Sequence, residues 1–221
     1  MTRKTAAASR RGACAWAALA TALALAALAL SSAPRESLDW QPGLVAAQPW
    51  RLWTAGLVHL TSGHLAANLA GCVVVGAFGA AARVSVASTA AWAVAWPLGH
   101  ALLVAVPQLQ HYAGLSGVLH AGVVVAALPL LWREAGRQRW IGAAVLAGLV
   151  IKLVLERPWS SAVQHFSGWD FPVAGAAHAS GALAGLLCGA LASRWPRRET
   201  DQADAGDSGG TGSSVRNSSL R

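Results

Sequence analysis

Charge is scarce in this chain. Only 12% of its 221 residues are Asp, Glu, Lys or Arg, about half the share of an ordinary soluble domain. That scarcity excludes a well-solvated globular surface. It accompanies 55% hydrophobic residues, gathered in runs rather than alternating with polar ones. Cysteine is equally sparse. Cys14, Cys72 and Cys188 each sit inside an apolar run, which leaves no disulfide framework and no zinc spacing, so all three read as small buried residues. The formal charge of +8 comes without interleaved aromatic residues and lies between apolar runs, which excludes a nucleic-acid platform. There is no long-period repeat, and no pattern that asks for a metal or a cofactor.

What is present is a set of apolar stretches. A spanning helix needs about 20 mostly apolar residues, and six segments supply or approach that length: 12–33, 64–82, 85–106, 113–132, 140–155 and 173–192. The fifth is short, and extends only if Lys152 and Glu156, four apart on one helix face, pair as an anchor near the membrane surface. Pro97 predicts a kink in the third. Trp40, Trp50, Trp53, Trp132, Trp140, Trp159, Trp169 and Trp195 flank the spans and read as interfacial anchors.

Loop charges orient the bundle. Arg3, Lys4, Arg10 and Arg11 precede the first span, Arg83 follows the second, Arg133, Arg137 and Arg139 follow the fourth, and Arg194, Arg197 and Arg198 follow the sixth. The opposite loops balance Arg35 and Arg51 against Glu36 and Asp39, and Arg157 against Asp170. The positive-inside rule then makes both termini cytoplasmic. The expected organisation is a basic N-terminal segment over 1–11, a six-helix membrane domain over 12–195, and a Gly-, Ser- and Asp-rich disordered cytoplasmic tail over 196–221. A rival reading takes 1–33 as a cleaved signal peptide ending at "SSA". The apolar stretch is long for that role and a proline would follow the cut, so retention is expected.

The informative polar residues sit at the external ends of three spans. "GLSG", Gly114 to Gly117, places Ser116 in the first turn of the fourth span, and "AHASGALAG" places His178 near the outer end of the sixth. A rise of about 1.5 Å per residue puts both roughly 5–10 Å below their helix starts. Gly117, Gly181 and Gly185 offer small faces for close helix approach, and Gly181 shares a face with His178. If the helices touch there, Ser116 reaches the imidazole, the geometry of an activated nucleophile. The helix start at Ser116 also supplies unpaired N–H groups and a positive dipole end for a developing oxyanion. In "HLTSGHLAANLAG", His64 and Asn68 lie four apart at the external end of the second span, costly there unless they serve each other or a ligand. A helix-packing serine, a proton-relay histidine and a His64–Asn68 pair joining helices are the bland readings of each alone. Their convergence favours catalysis. His100, His111 and His165 carry no assigned chemistry, and Lys152 lacks the partnered serine that serine–lysine catalysis would need.

Taken together, Trp50-Arg51, the pattern carrying His59, His64 and Asn68, "GLSG" and "AHASGALAG", in this order over residues 48–190, resemble the rhomboid family of intramembrane serine proteases. The resemblance implies a six-helix bundle and a Ser116–His178 dyad with no acidic third member. It also implies an oxyanion site from His64, Asn68 and the Ser116 N–H, with His59 and Arg51 structural in the adjoining loop. No Asp or Glu falls within spans two, four or six, in keeping with a dyad. Many relatives carry tyrosine four residues after the serine, stacked on the histidine; here that position is His120. "GLSGVLH", "IKLVLE" and "AHASGALAGLL" resemble the rhombosortase branch. That likeness implies membrane-anchored substrates, namely exported bacterial proteins with Gly-Gly-type C-terminal tails, and an active site facing the periplasm from the inner membrane. The competing readings are an inactive relative that binds membrane helices without cutting, against which both dyad residues speak, and a polytopic transporter, against which the lack of further in-membrane acids speaks.

Overall fold

The computed structural model describes residues 3–194. Its helices are α1 (Arg3–Ala29), α2 (Arg51–Thr54), α3 (Ser62–Ala81), α4 (Val86–Leu102), α5 (Ser116–Arg133), α6 (Gly136–Glu156) and α7 (Gly175–Arg194), with single 3-10 turns at Arg35–Ser37 and Leu103–Ala105. α2 is one turn long, and the other six are long and apolar enough to cross a membrane. Among the described residues the β pairings are two isolated bridges, Trp40 with Tyr112 and Gln164 with Val173. The protein is an all-helical, multi-pass integral membrane protein.

The helices match the apolar runs, with differences at the ends. α1 starts at Arg3, inside the stretch expected to be a separate basic segment, because helix formation continues past the point where hydropathy falls. It ends at Ala29 rather than residue 33. α6 begins at Gly136, four residues before the expected span, and reaches Glu156, which removes the shortage of length at the fifth crossing. α4 runs through Pro97 without a break in its helix. The tail expected over 196–221, together with Trp195, lies outside the described residues.

α5 is the axis of the bundle, packed on by α3, α4, α6 and α7. α7 meets it backbone to backbone. A Cβ on Gly181 would overlap the Gly117 carbonyl oxygen, and one on Gly185 would sit 2.6 Å from that of Ala121. Small residues allow this approach, and in a membrane dispersion between closely packed backbones holds helices together. α1 closes the opposite side: buried Trp16 stacks on Trp92 with ring centroids 4.3 Å apart and donates from Nε1 to the Val75 carbonyl at 2.9 Å. Cys72 and Cys188 are buried as expected, whereas Cys14 is exposed on α1. α6 is the least buried crossing. It packs on α5, touches α7 lightly and does not pack on α3.

The tryptophans divide. Trp50, Trp53, Trp132, Trp140, Trp159 and Trp169 are exposed, as anchors require, but Trp40 is fully buried. Its backbone pairs with Tyr112 on both sides, at 2.8 and 3.0 Å, so Trp40 fills the core under the loops before α3 and α5 instead of resting at the interface. Those loops are tied by Arg51. Its guanidinium donates to the Asp39 carbonyl at 2.5 Å, the Asp39 carboxylate at 3.1 Å and Gln48 Oε1 at 2.7 Å, while His111 Nδ1 reaches the other Asp39 oxygen at 2.8 Å.

Candidate active site

One cavity of about 970 Å³ opens at the end of the bundle where α5 and α7 begin, and it is lined by His64, Asn68, Ser116, His120, Lys152, Glu156 and His178 among others. Four helices supply these polar groups. α3 and α6 face one another across it without packing, so the cavity has a side opening between them.

Ser116 is placed by the turn before it. Gly114 has φ +122°, a left-handed conformation that disfavours side chains, and a Cβ there would lie 2.5 Å from the His64 ring. Its N–H donates to the Ala55 carbonyl at 2.9 Å. Tyr112 Oη donates to the Gly114 carbonyl at 2.7 Å and accepts from the Gly117 N–H at 3.2 Å. The tyrosine thus satisfies the second N–H of α5 and leaves that of Ser116, at the first position, free of any intrahelical acceptor.

Ser116 and His178 line the same cavity, held near each other by the Gly117–Gly181 contact. Among the described residues no hydrogen bond joins them. Ser116 Oγ lies 3.5 Å from Tyr112 Oη instead, and such bonds often tighten only when substrate binds. His120 bridges the two: its Nδ1–H donates to the Ser116 carbonyl at 2.6 Å, and its ring stacks on His178.

On the facing wall, Thr61 caps α3 by accepting from the His64 N–H at 3.0 Å. The Leu60 N–H points at His64 Nδ1, 3.4 Å away, so Nδ1 is the acceptor and the ring proton resides on Nε2, a donor toward Gly114. Asn68 gives one amide hydrogen to the His64 carbonyl at 3.2 Å and keeps another. Phe171, from the loop before α7, stacks on His64 with centroids 4.3 Å apart. His59 packs edge-on against His64 at 5.0 Å, outside the cavity lining. Arg51 does not line the cavity either, but is buried directly behind Asp39, which does.

The sequence reading misplaced one pair. Lys152 and Glu156 were expected to be a surface anchor, and no acid was expected beside the histidine. Glu156 is instead buried at the cavity wall, and its Oε2 lies 2.7 Å from His178 Nδ1. Lys152 Nζ contacts Glu156 Oε1 and lies 3.3 Å from His178 Nδ1. The acid comes from span five, at the C-terminal end of α6. Two ionisable residues inside an apolar run were the available signal, since such residues default to function. Tyr112 and Phe171 had no comparable signal, because tertiary packing alone brings them in.

An alcohol at a helix N-terminus, an imidazole on the neighbouring helix, and an amide and a second imidazole opposite share this cavity. A family model for the Rhomboid domain matches residues 46–195, and the chain belongs to the rhomboid family, which is a family of intramembrane proteases. No curated protein matches the chain.

Proposed function

We propose that the protein is an active intramembrane serine endopeptidase that cuts membrane-anchored protein segments near the external surface. The single observation that carries this reading is the gathering of Ser116, His178, His64 and Asn68, from three helices, around one cavity beside the Gly117–Gly181 contact. Ser116 Oγ bonds to the scissile carbonyl carbon, and its proton passes to His178 Nε2. The carbonyl π pair moves to oxygen, where His64 Nε2–H, the free Asn68 amide hydrogen and the Ser116 N–H receive it. Collapse breaks the C–N bond, and His178 returns the proton to the leaving amine. Water then repeats the sequence on the acyl-enzyme. The side opening between α3 and α6 suits a substrate that arrives from the lipid. That substrate must unwind locally, which favours small or helix-breaking residues at the cut.

The substrates best suited to the rhombosortase-like features are exported proteins with Gly-Gly-type C-terminal tails. The accompanying placement is the bacterial inner membrane, with both termini cytoplasmic and the cavity facing the periplasm, supported by the loop charges. A fluorophosphonate probe tests the chemistry: labelling requires Ser116 and disappears in Ser116→Ala. Comparative C-terminal mass spectrometry of secreted proteins, with and without the gene, tests the substrate class. Unchanged tails alongside Ser116-dependent labelling would leave a protease of other specificity, and labelling that survives Ser116→Ala would end the protease reading.

A further inference from the structure

Glu156 has no task in a two-residue mechanism, yet the fold invests in holding it. It is the last residue of α6, followed by Arg157 in the left-handed conformation at φ 43°. Gln164 donates from its side chain to the Glu156 carbonyl, and the first residue of α7, Gly175, leaves just room for it, since a Cβ there would lie 3.4 Å from that of Glu156. Chain from both sides of the loop therefore packs on the backbone of Glu156, and its carboxylate meets His178. We infer that Glu156 is a positioning residue for His178, its carboxylate kept ionised by Lys152, so that the reacting groups act as a Ser116–His178–Glu156 relay in place of a bare pair. This rests on the protease reading above.

The argument is one of proton placement. Two polar contacts meet at His178 Nδ1, Glu156 Oε2 at 2.7 Å and Lys152 Nζ at 3.3 Å, and these two partners are themselves ion-paired. If Nδ1 carried a lone pair, it would accept from Lys152 but face an anionic oxygen at 2.7 Å with no proton between them. If Nδ1 carries the proton, it donates to Glu156 Oε2 and Lys152 donates to Oε1, and only the longer Lys152 approach to Nδ1 sets donor against donor. The second arrangement is selected, and it leaves Nε2 with the lone pair, the atom that must take the Ser116 proton. A bare pair has to find that tautomer by chance; here the carboxylate dictates it. His120, the remaining titratable group against the ring, stacks on its face and leaves the edge to Glu156. Lys152 supplies the countercharge that lets a carboxylate stay ionised in an apolar wall. As the imidazolium forms, the same oxygen receives its full hydrogen bond without rearrangement.

The test uses the full chain in detergent and a fluorophosphonate, whose reaction forms the Ser116 Oγ–P bond, expels fluoride and sends the serine proton to His178. The maximal labelling rate kinact, the half-saturating concentration KI and Tm are measured for wild type, Ser116→Ala, Glu156→Gln, Glu156→Asp and the neutral double variant Lys152→Met/Glu156→Gln. Gln keeps the shape but can either accept from or donate to Nδ1, so tautomer control is lost. We expect kinact to fall by about 10²–10⁴-fold in Glu156→Gln, the upper figure being the cost of a wrong tautomer in a serine protease triad. KI and Tm should stay near wild type, and Glu156→Asp should recover part of kinact. The double variant removes both charges together, so no ammonium at Lys152 is left without its partner, and should show the same loss. Wild-type kinact in either folded Gln-bearing variant would overturn the inference while leaving a Ser116–His178 pair intact. An unlabelled wild type, or labelling that persists in Ser116→Ala, would overturn the protease reading and this inference with it.

Discussion

His120 lies flat against His178, with ring centroids 4.2 Å apart and planes inclined by 11°, while its Nδ1–H holds the Ser116 carbonyl. One side chain therefore touches both residues of the proposed reaction, and its ring faces the imidazole where many relatives of the rhomboid family place tyrosine. The stack restricts His178 rotation, and aromatic pairs contribute about 0.5–1.5 kcal/mol beyond their area. His120→Ala should lower kcat by roughly 2- to 10-fold on that basis, and His120→Tyr should keep the stack and most of the activity. Parallel turnover of both variants on one helical substrate checks this; equal loss in the two would show that the hydrogen bond to Ser116, and not the stack, matters.

The oxyanion donors predict a different signature. In the proposed reaction His64 Nε2–H and the Asn68 amide act on charge that exists only in the transition state, so removing either should leave substrate binding alone. His64→Ala and Asn68→Ala should each cost about 10²–10³ in kcat with KM little changed. A rise in KM with constant kcat would reassign these residues to ground-state binding. The hydrogen bond from Asn68 to the His64 carbonyl also predicts non-additive losses in the double variant, because each residue steadies the other.

The loops before α3 and α5 rest on a buried ion pair. Arg51 and Asp39 side chains are only 4% and 2% exposed, and removing one partner of such a pair costs about 3–5 kcal/mol. Arg51→Ala should therefore lower Tm sharply and loosen the loop before α3, whereas Arg35→Ala, at an exposed pair with Glu36, should change Tm little. Thermal denaturation in detergent distinguishes the two, and a similar small change in both would mean that water enters to solvate Asp39.

Much of this was legible beforehand, for specific reasons. Apolar runs long enough to cross a bilayer have few folded outcomes, since every backbone group must be paired within its own helix. Ser116 and His178 were legible together because both fall near the start of an apolar run. The expected depth of roughly 5–10 Å does not hold, since α5 begins at Ser116 itself and His178 is the fourth residue of α7. Glycine spacing then suggested which helices meet, and Gly117 does meet Gly181. Glu156 escaped because its place depends on where α6 ends and on a loop folded over it, neither of which has a periodic signature. Trp40 was misjudged for a related reason: at a span edge an interfacial ring and a core ring look alike in sequence, and the backbone pairing with Tyr112 decides between them.

His59 gives a prediction in pH. It precedes α3 in the loop, and both its ring nitrogens are buried with no hydrogen-bond partner among the described residues. Burial disfavours the charged ring and pushes its pKa down from 6.5 to about 4. Between these values the unfolded chain binds a proton that the folded chain refuses, so stability falls as pH drops from 6.5 toward 4 and is fully retained above 6.5. Replacing the imidazole by an apolar ring of similar size should remove this contribution. The Tm difference between His59→Phe and wild type should then grow in favour of the variant as pH is lowered through that window, and be flat from pH 7 upward. Taking the difference cancels the histidines that His59 does not touch, leaving only its edge-on neighbour His64. A Tm gap independent of pH would mean that His59 already carries a proton when folded, or meets water that the packing around it conceals.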